Sequence, residues 1–197
     1  MVLSDLVTFP RMMERSRLRD AVLVLGGALF TALSAQVVVH LGFTPVPLTG
    51  QTFAVLTVGG VLGARRAMSS QLLYWAMGAA GLPFYQSGNS GWDHATGTTF
   101  GYFVGFVLAA GLVGWYADKR HDRNYVMSLS SMFMASAIIY TLGALWLAHR
   151  LNIPVAAGEN SAVELGVAPF LAGDLIKIFL AASVAPLGWS LYYAKPR

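Results

Sequence analysis

Long stretches without a charged side chain dominate the pattern along this chain. Residues 21–64, 67–92, 94–117, 124–149 and 178–194 contain no Asp, Glu, Lys or Arg, and the charges gather in short clusters between them. A hydrocarbon core about 30 Å thick takes roughly 20 apolar residues per helix. The pattern therefore predicts an all-α membrane protein with six transmembrane helices, at roughly 21–41, 51–64, 67–81, 98–117, 125–149 and 168–193, forming one integral membrane domain over 1–197. Breaks fall where helices cannot continue. Pro45 and Pro47 interrupt the segment 42–50, Arg65-Arg66 ends the second span and Gly81-Leu82-Pro83 ends the third. Residues 1–19 mix Leu, Val, Phe and Met with Arg11, Arg15, Arg17 and Arg19, which suits a tail or short helix at the membrane surface.

The charges orient this arrangement. Arg11, Arg15, Arg17 and Arg19 precede span one, Arg65 and Arg66 separate spans two and three, Lys119, Arg120 and Arg123 separate four and five, and Lys195 and Arg197 follow span six. Arg150 alone lies in the opposite loops, and Lys177 lies within a span. Positive residues collect on the cytoplasmic side, so both termini are expected in the cytoplasm of a cell (inner or plasma) membrane protein. The outer segments, 42–50, 82–97 and 150–167, are then the Gly- and Pro-rich ones, and specific chemistry is expected there.

Composition agrees. Asp, Glu, Lys and Arg make up 11% of the 197 residues while 56% are hydrophobic, against about 25% charged in a soluble domain. The basic excess follows helix ends, so nucleic-acid binding is not expected. With no cysteine, disulfides, thiolate metal sites and Cys nucleophiles are excluded. The first 20 residues lack an uninterrupted apolar core, so no cleavable signal peptide is expected. There is no phosphate-loop motif and no voltage-sensing Arg helix. His40, His94, His121 and His149 are scattered without metal-ligand spacing. Neither a catalytic group, a metal nor a cofactor is expected in this chain.

Four features carry candidate chemistry. Asp174 and Lys177 share one helix face at i, i+3 spacing. Ionisable residues within a span are costly and mark functional sites by default. They lie one to two turns from the outer end, after Pro169 and Gly173, where an accessible pocket fits; the plainer reading is a neutralising pair that only fixes packing. The segment Pro45 to Thr52 offers Thr49, Gln51 and Thr52 as donors and acceptors, with Thr49 as a helix cap and Gln51 pointing inward. The loop Phe84 to His94 could close over a ligand, with Tyr85 or Trp92 stacking and Asn89 hydrogen bonding, or could belong to the interfacial aromatic belt. Finally, Ala28 and Ala32 at i, i+4 spacing allow close helix approach, within the bundle or against a partner.

These residues carry a family resemblance. The run Val46-Pro47-Leu48-Thr49-Gly50-Gln51-Thr52-Phe53-Ala54-Val55-Leu56 resembles the signature of the BioY family, the biotin-specific S components of energy-coupling factor transporters. Leu62-Gly63-x-Arg65-Arg66, Gly78-Ala79-Ala80-Gly81-Leu82-Pro83, Gly101-Tyr102-x-x-Gly105-Phe106 and Pro169-Phe170-x-x-Gly173-Asp174-x-x-Lys177 follow in the family's order, over roughly 20–185. The run 92–100 departs from the family's Gly-Pro-Thr-Gly-Gly.

The resemblance implies a six-helix S-component fold that captures biotin from outside with high affinity. Asp174 and Lys177 match the family's pocket residues, and Ala28 and Ala32 match the small-residue motif that docks on a transmembrane coupling protein. The implied partners are that protein and two ATPase subunits, which would use the ATP. A carboxylate suits the ureido N–H donors of biotin. Lys177 suits either the ureido oxygen or the valerate, and Tyr85, Trp92 or Phe53 the bicycle. The sequence leaves open which end of biotin each charge holds. It also leaves open an S component for another vitamin, or a membrane enzyme using Asp174 and Lys177.

Overall fold

The structure, a computed structural model, describes residues 1–6 and 16–194. Residues 7–15 of the expected surface segment 1–19, with Arg11 and Arg15, and the terminal Lys195 and Arg197 lie outside the described residues. The chain is mostly helical. Its elements are α1 (Ser16–Ser34), a two-residue hairpin of β1 (Val38–Val39) and β2 (Leu48–Thr49), α2 (Gln51–Leu62), α3 (Ala64–Ala79), the short α4 (Trp92–Ala95), α5 (Phe100–Asp118), α6 (Tyr125–Leu151), the short α7 (Ala162–Gly166) and α8 (Leu171–Tyr193). Among the described residues, six longer helices, α1, α2, α3, α5, α6 and α8, overlap the six stretches expected as spans. Among the described residues, three helical stretches are long and apolar enough to cross a membrane: Phe100–Asp118, Tyr125–Leu151 and Ala162–Tyr193. The apolar α2 has 12 residues, about 18 Å of helix, which is short of a full crossing.

Two expected boundaries move. The first span ends at Ser34 rather than near 41. The β-branched run Val37-Val38-Val39 favours an extended backbone. It pairs antiparallel with the Pro-bounded segment, Val38 opposite Thr49 and Val39 opposite Leu48, and Gly50 N–H donates to the Val37 carbonyl at 3.0 Å. The second boundary is a single residue, Gly63, with φ 78°. Arg65 and Arg66 therefore sit in the first turn of α3 rather than in a connecting loop. Glycine takes this backbone conformation without steric penalty. The α3 N-terminus is capped from another helix, because Ala64 N–H donates to Asp118 Oδ2 at 3.1 Å.

The central α5 packs on α2, α3 and α6. Its Gly105 meets Ile139 of α6 so closely that an added Cβ would lie 2.8 Å from the Ile139 Cα, the small-residue contact that close helix packing in lipid relies on. α6 starts at an Asn124 cap, whose Oδ1 accepts from the N–H groups of Val126 (2.9 Å) and Met127 (3.3 Å).

The two ends of the bundle differ in chemistry. At one end, Arg66 pairs with Asp5 at 2.8 Å and Asp20 at 2.7 Å, Arg19 pairs with Asp5 at 3.3 Å, and the Arg123 guanidinium lies 4.2 Å over the Trp189 ring. Val2 and Ser4 are buried there. At the other end, mostly neutral segments interlock. Thr44 Oγ1 donates to the Leu165 carbonyl (2.5 Å), Tyr102 Oη to that of Gly166 (2.7 Å) and Trp146 Nε1 to that of Gly97 (2.8 Å).

Candidate ligand-binding site

A cavity of about 520 Å³, its open mouth included, lies at the end with the hairpin. Its walls are mainly apolar: Val46, Pro47 and Leu48 of the hairpin, Phe103 and Phe106 of α5, and Ile139 of α6 among them. Polar side chains interrupt them, and the two charged ones stand together. Asp174 and Lys177 pair at 2.6 Å from the first two turns of α8. Asp174 Oδ1 also accepts from Thr52 Oγ1 at 3.1 Å, and Oδ2 accepts from Tyr140 Oη at 2.6 Å. Lys177 Nζ donates further to the Thr49 carbonyl (2.6 Å) and to Thr52 Oγ1 (3.3 Å). Asp174 is buried, and a buried charge persists only when paired and hydrogen-bonded. Donors from three helices, α2, α6 and α8, converge here on one carboxylate.

The cavity receives five of the residues singled out in the sequence: Asp174, Lys177, Gln51, Thr49 and Thr52. Gln51 is committed to protein partners, donating to Tyr74 Oη at 2.7 Å and accepting from Thr49 Oγ1 at 2.8 Å. Thr49 is not the helix cap; that position belongs to Gly50, without a side-chain bond. The structure does not bring Tyr85, Asn89, Trp92 or Phe53 to the cavity wall. Tyr85 is fully buried, stacked on His94 at 5.2 Å and donating to the Trp75 carbonyl at 2.6 Å. Burial pushes its phenol up to about 12. Asn89 turns back to the Gln86 carbonyl (2.9 Å). Trp92 is 62% exposed and edges onto Trp75 at 5.8 Å, as an interfacial aromatic would. From that loop Gln86 reaches the wall instead, held 2.9 Å from His94 Nε2. Burial pushes the His94 imidazole below its ordinary value.

Ala28 and Ala32 fit the first of the two expected settings, close approach within the bundle. Both are buried inside the chain, on α1, which packs against α3 and α2 and whose Thr31 Oγ1 accepts from Gln71 Nε2 of α3 at 3.2 Å. Their small size serves packing within the bundle. Sequence reading missed Tyr140 altogether. Its signal was position: a Tyr in the middle of a charge-free span, away from the ends where Tyr collects.

The same residues place the chain among known proteins. The pattern of the BioY family matches residues 11–194. The chain is 37% identical over 161 residues to the probable biotin transporter BioY of Pyrococcus horikoshii, covering 80% of this chain and 90% of that protein. It is 33% identical over 172 residues to the biotin transporter BioY of Rhizobium etli, covering 83% and 89%. In fold it is similar to a solved crystal structure, the S-component for biotin from an ECF-type ABC transporter. The TM-score is 0.77, with 23% identity over 91% of this chain and 93% of that one. With the match running across nearly the whole described bundle and through the polar cluster of α8, this chain belongs to the BioY family.

Proposed function

We propose that this chain is the high-affinity, biotin-binding uptake subunit of an ECF-type vitamin transporter in the cell membrane. It takes biotin from outside into the cavity beside α8, spans the membrane six times and keeps both termini in the cytoplasm. The charge pattern supports that orientation, since the Arg-rich end of the bundle lies opposite the cavity. A transmembrane coupling protein and two ATPase subunits complete the transporter, and the chain performs no reaction on its ligand.

The observation that carries this reading is the hydrogen-bonded cluster of Asp174, Lys177, Thr52 and Tyr140, which holds the two charged groups of a mainly apolar cavity. Its bonding favours one orientation of the ligand. The three N–H donors of Lys177 already have acceptors in Thr49, Thr52 and Asp174. Asp174 Oδ1 already accepts twice, whereas Oδ2 accepts from Tyr140 alone. A carboxylate oxygen has room for two donors, so the cluster offers an acceptor, which suits a ureido N–H. The apolar walls suit the bicycle.

Calorimetric titration of the detergent-purified protein tests the proposal directly. Biotin is expected to bind and to outcompete thiamine and riboflavin, and mass analysis is expected to recover it unchanged. No heat of binding with biotin, or preference for another vitamin, would overturn the assignment.

A further inference from the structure

The hydroxyl of Tyr140 does something its neighbours on α6 do not. Thr141 satisfies its hydroxyl within the helix, donating to the Ala137 carbonyl at 2.7 Å, the common local solution for Ser and Thr in helices. A tyrosine hydroxyl is too far out on its ring for that. It crosses to α8 and donates to Asp174 Oδ2 at 2.6 Å, the distance of a charge-assisted O–H···O⁻ bond. The other carboxylate oxygen is held by Lys177 and Thr52. The two ends of the carboxylate are therefore gripped from different helices, and rotation about its last side-chain bond would break one grip or the other. Both Tyr140 and Asp174 line the cavity.

We propose that Tyr140 is a positioning residue for ligand recognition: its hydroxyl locks the Asp174 carboxylate so that the remaining lone pair of Oδ2 is presented to a ligand N–H. Resting on the biotin reading above, this assigns Tyr140 an effect exerted through Asp174 rather than through bulk or ring contact. A preorganised acceptor binds more tightly because no orientation is lost on binding. The phenyl ring of Tyr140→Phe keeps the wall and removes only the grip.

The test combines titration and infrared spectroscopy. Y140F is expected to bind biotin at least tenfold more weakly than wild type. On a D174N background the same change is expected to alter affinity less than threefold, because the group it acts through has lost its charge. A Tyr140 that only shaped the cavity or the fold would produce the same loss on both backgrounds. Protein with ¹³C-labelled aspartate, without biotin, supplies a second readout. The wild-type minus D174N spectrum isolates the carboxylate band of Asp174, and Y140F is expected to shift it. Wild-type affinity in Y140F, equal losses on the two backgrounds, or an unmoved Asp174 band would each overturn the proposal. A wild type that fails to bind biotin would instead sink the biotin reading, while the infrared band would still decide whether Tyr140 holds Asp174. Should D174N not fold, T52V takes its place in the cycle. It removes the donor to the opposite oxygen, and a combined loss equal to the product of the two single losses would count against the shared grip.

Discussion

Lys177 donates to the main-chain carbonyl of Thr49 at 2.6 Å, so the charged pair of α8 also secures the hairpin that walls the cavity. One side chain thus links the ion pair, the start of α2 and β2. Replacing it should be felt in both binding and local stability. Lys177→Ala is expected to weaken biotin binding at least tenfold, equivalent to about 1.4 kcal/mol, and in the range of a hydrogen bond to a charged group. Hydrogen exchange of the backbone around 46–50 should quicken in the same variant, read by mass spectrometry. Wild-type affinity with unchanged exchange would show that the contact matters to neither.

The opposite end offers a test of pH dependence. Burial alone would raise the Asp5 carboxyl, but hydrogen bonds from Arg66 and the Val2 N–H, with the charges of Arg66 and Arg19, outweigh it and hold Asp5 below its ordinary 3.8. A carboxylate with a depressed folded value stabilises above its unfolded value and loses that contribution as pH falls through the folded one. Arg66→Ala removes two ion pairs at once. Its thermal midpoint at pH 7 should fall below that of wild type, and the gap should narrow below about pH 3.8. A gap independent of pH would exclude the Asp5 linkage.

Asp122 has the reverse sign. It is buried in the connection between α5 and α6, and burial raises its carboxyl although the Trp189 indole N–H and the Arg123 charge pull it down. A raised folded value gives stability below the unfolded value that is lost as pH rises through the folded one. Asp122→Asn keeps an oxygen to accept from Trp189 and has no charge to bury. At pH 7 it should unfold no earlier than wild type, whereas toward pH 4 wild type should gain on it. Earlier unfolding of the variant at neutral pH would contradict the sign.

Gly114 of α5 lies against the backbone at the α2–α3 junction. A Cβ there would come within 2.4 Å of Ala64 N and 2.5 Å of the Gly63 carbonyl carbon. Backbone cannot yield as a flexible side chain can. Gly114→Ala is expected to cost about 1–3 kcal/mol, lowering the melting midpoint by about 2–4 °C per kcal/mol. Tryptophan fluorescence during heating in detergent would register it, and an unchanged midpoint would mean that the junction adjusts freely.

Asp174 and Lys177 were legible in the sequence because a charge in an apolar run has few tolerable surroundings. Gln51 and Thr52 were legible because prolines and glycine mark a specified path just before them. Tyr85 and Trp92 were equally visible as aromatics in a polar loop, yet burial draws Tyr85 into the core beside Tyr74 and Phe103, while Trp92 stays at the surface. Ala28 and Ala32 announce close packing without naming the neighbour, and both are buried inside the bundle.

The sequence by itself determined the class of this protein, the order of its helices and the buried charge pair, because hydropathy and charge act locally along the chain. Tertiary structure alone decided which faces meet. A helix that is apolar all round gives no signal of its inward side. Tyr140, Phe103 and Phe106 therefore became cavity walls only once α5, α6 and α8 had packed. The grip on Asp174 arises the same way: its donors stand 122 and 34 residues away in the chain and a single turn away on its own helix, and only folding brings them to one carboxylate.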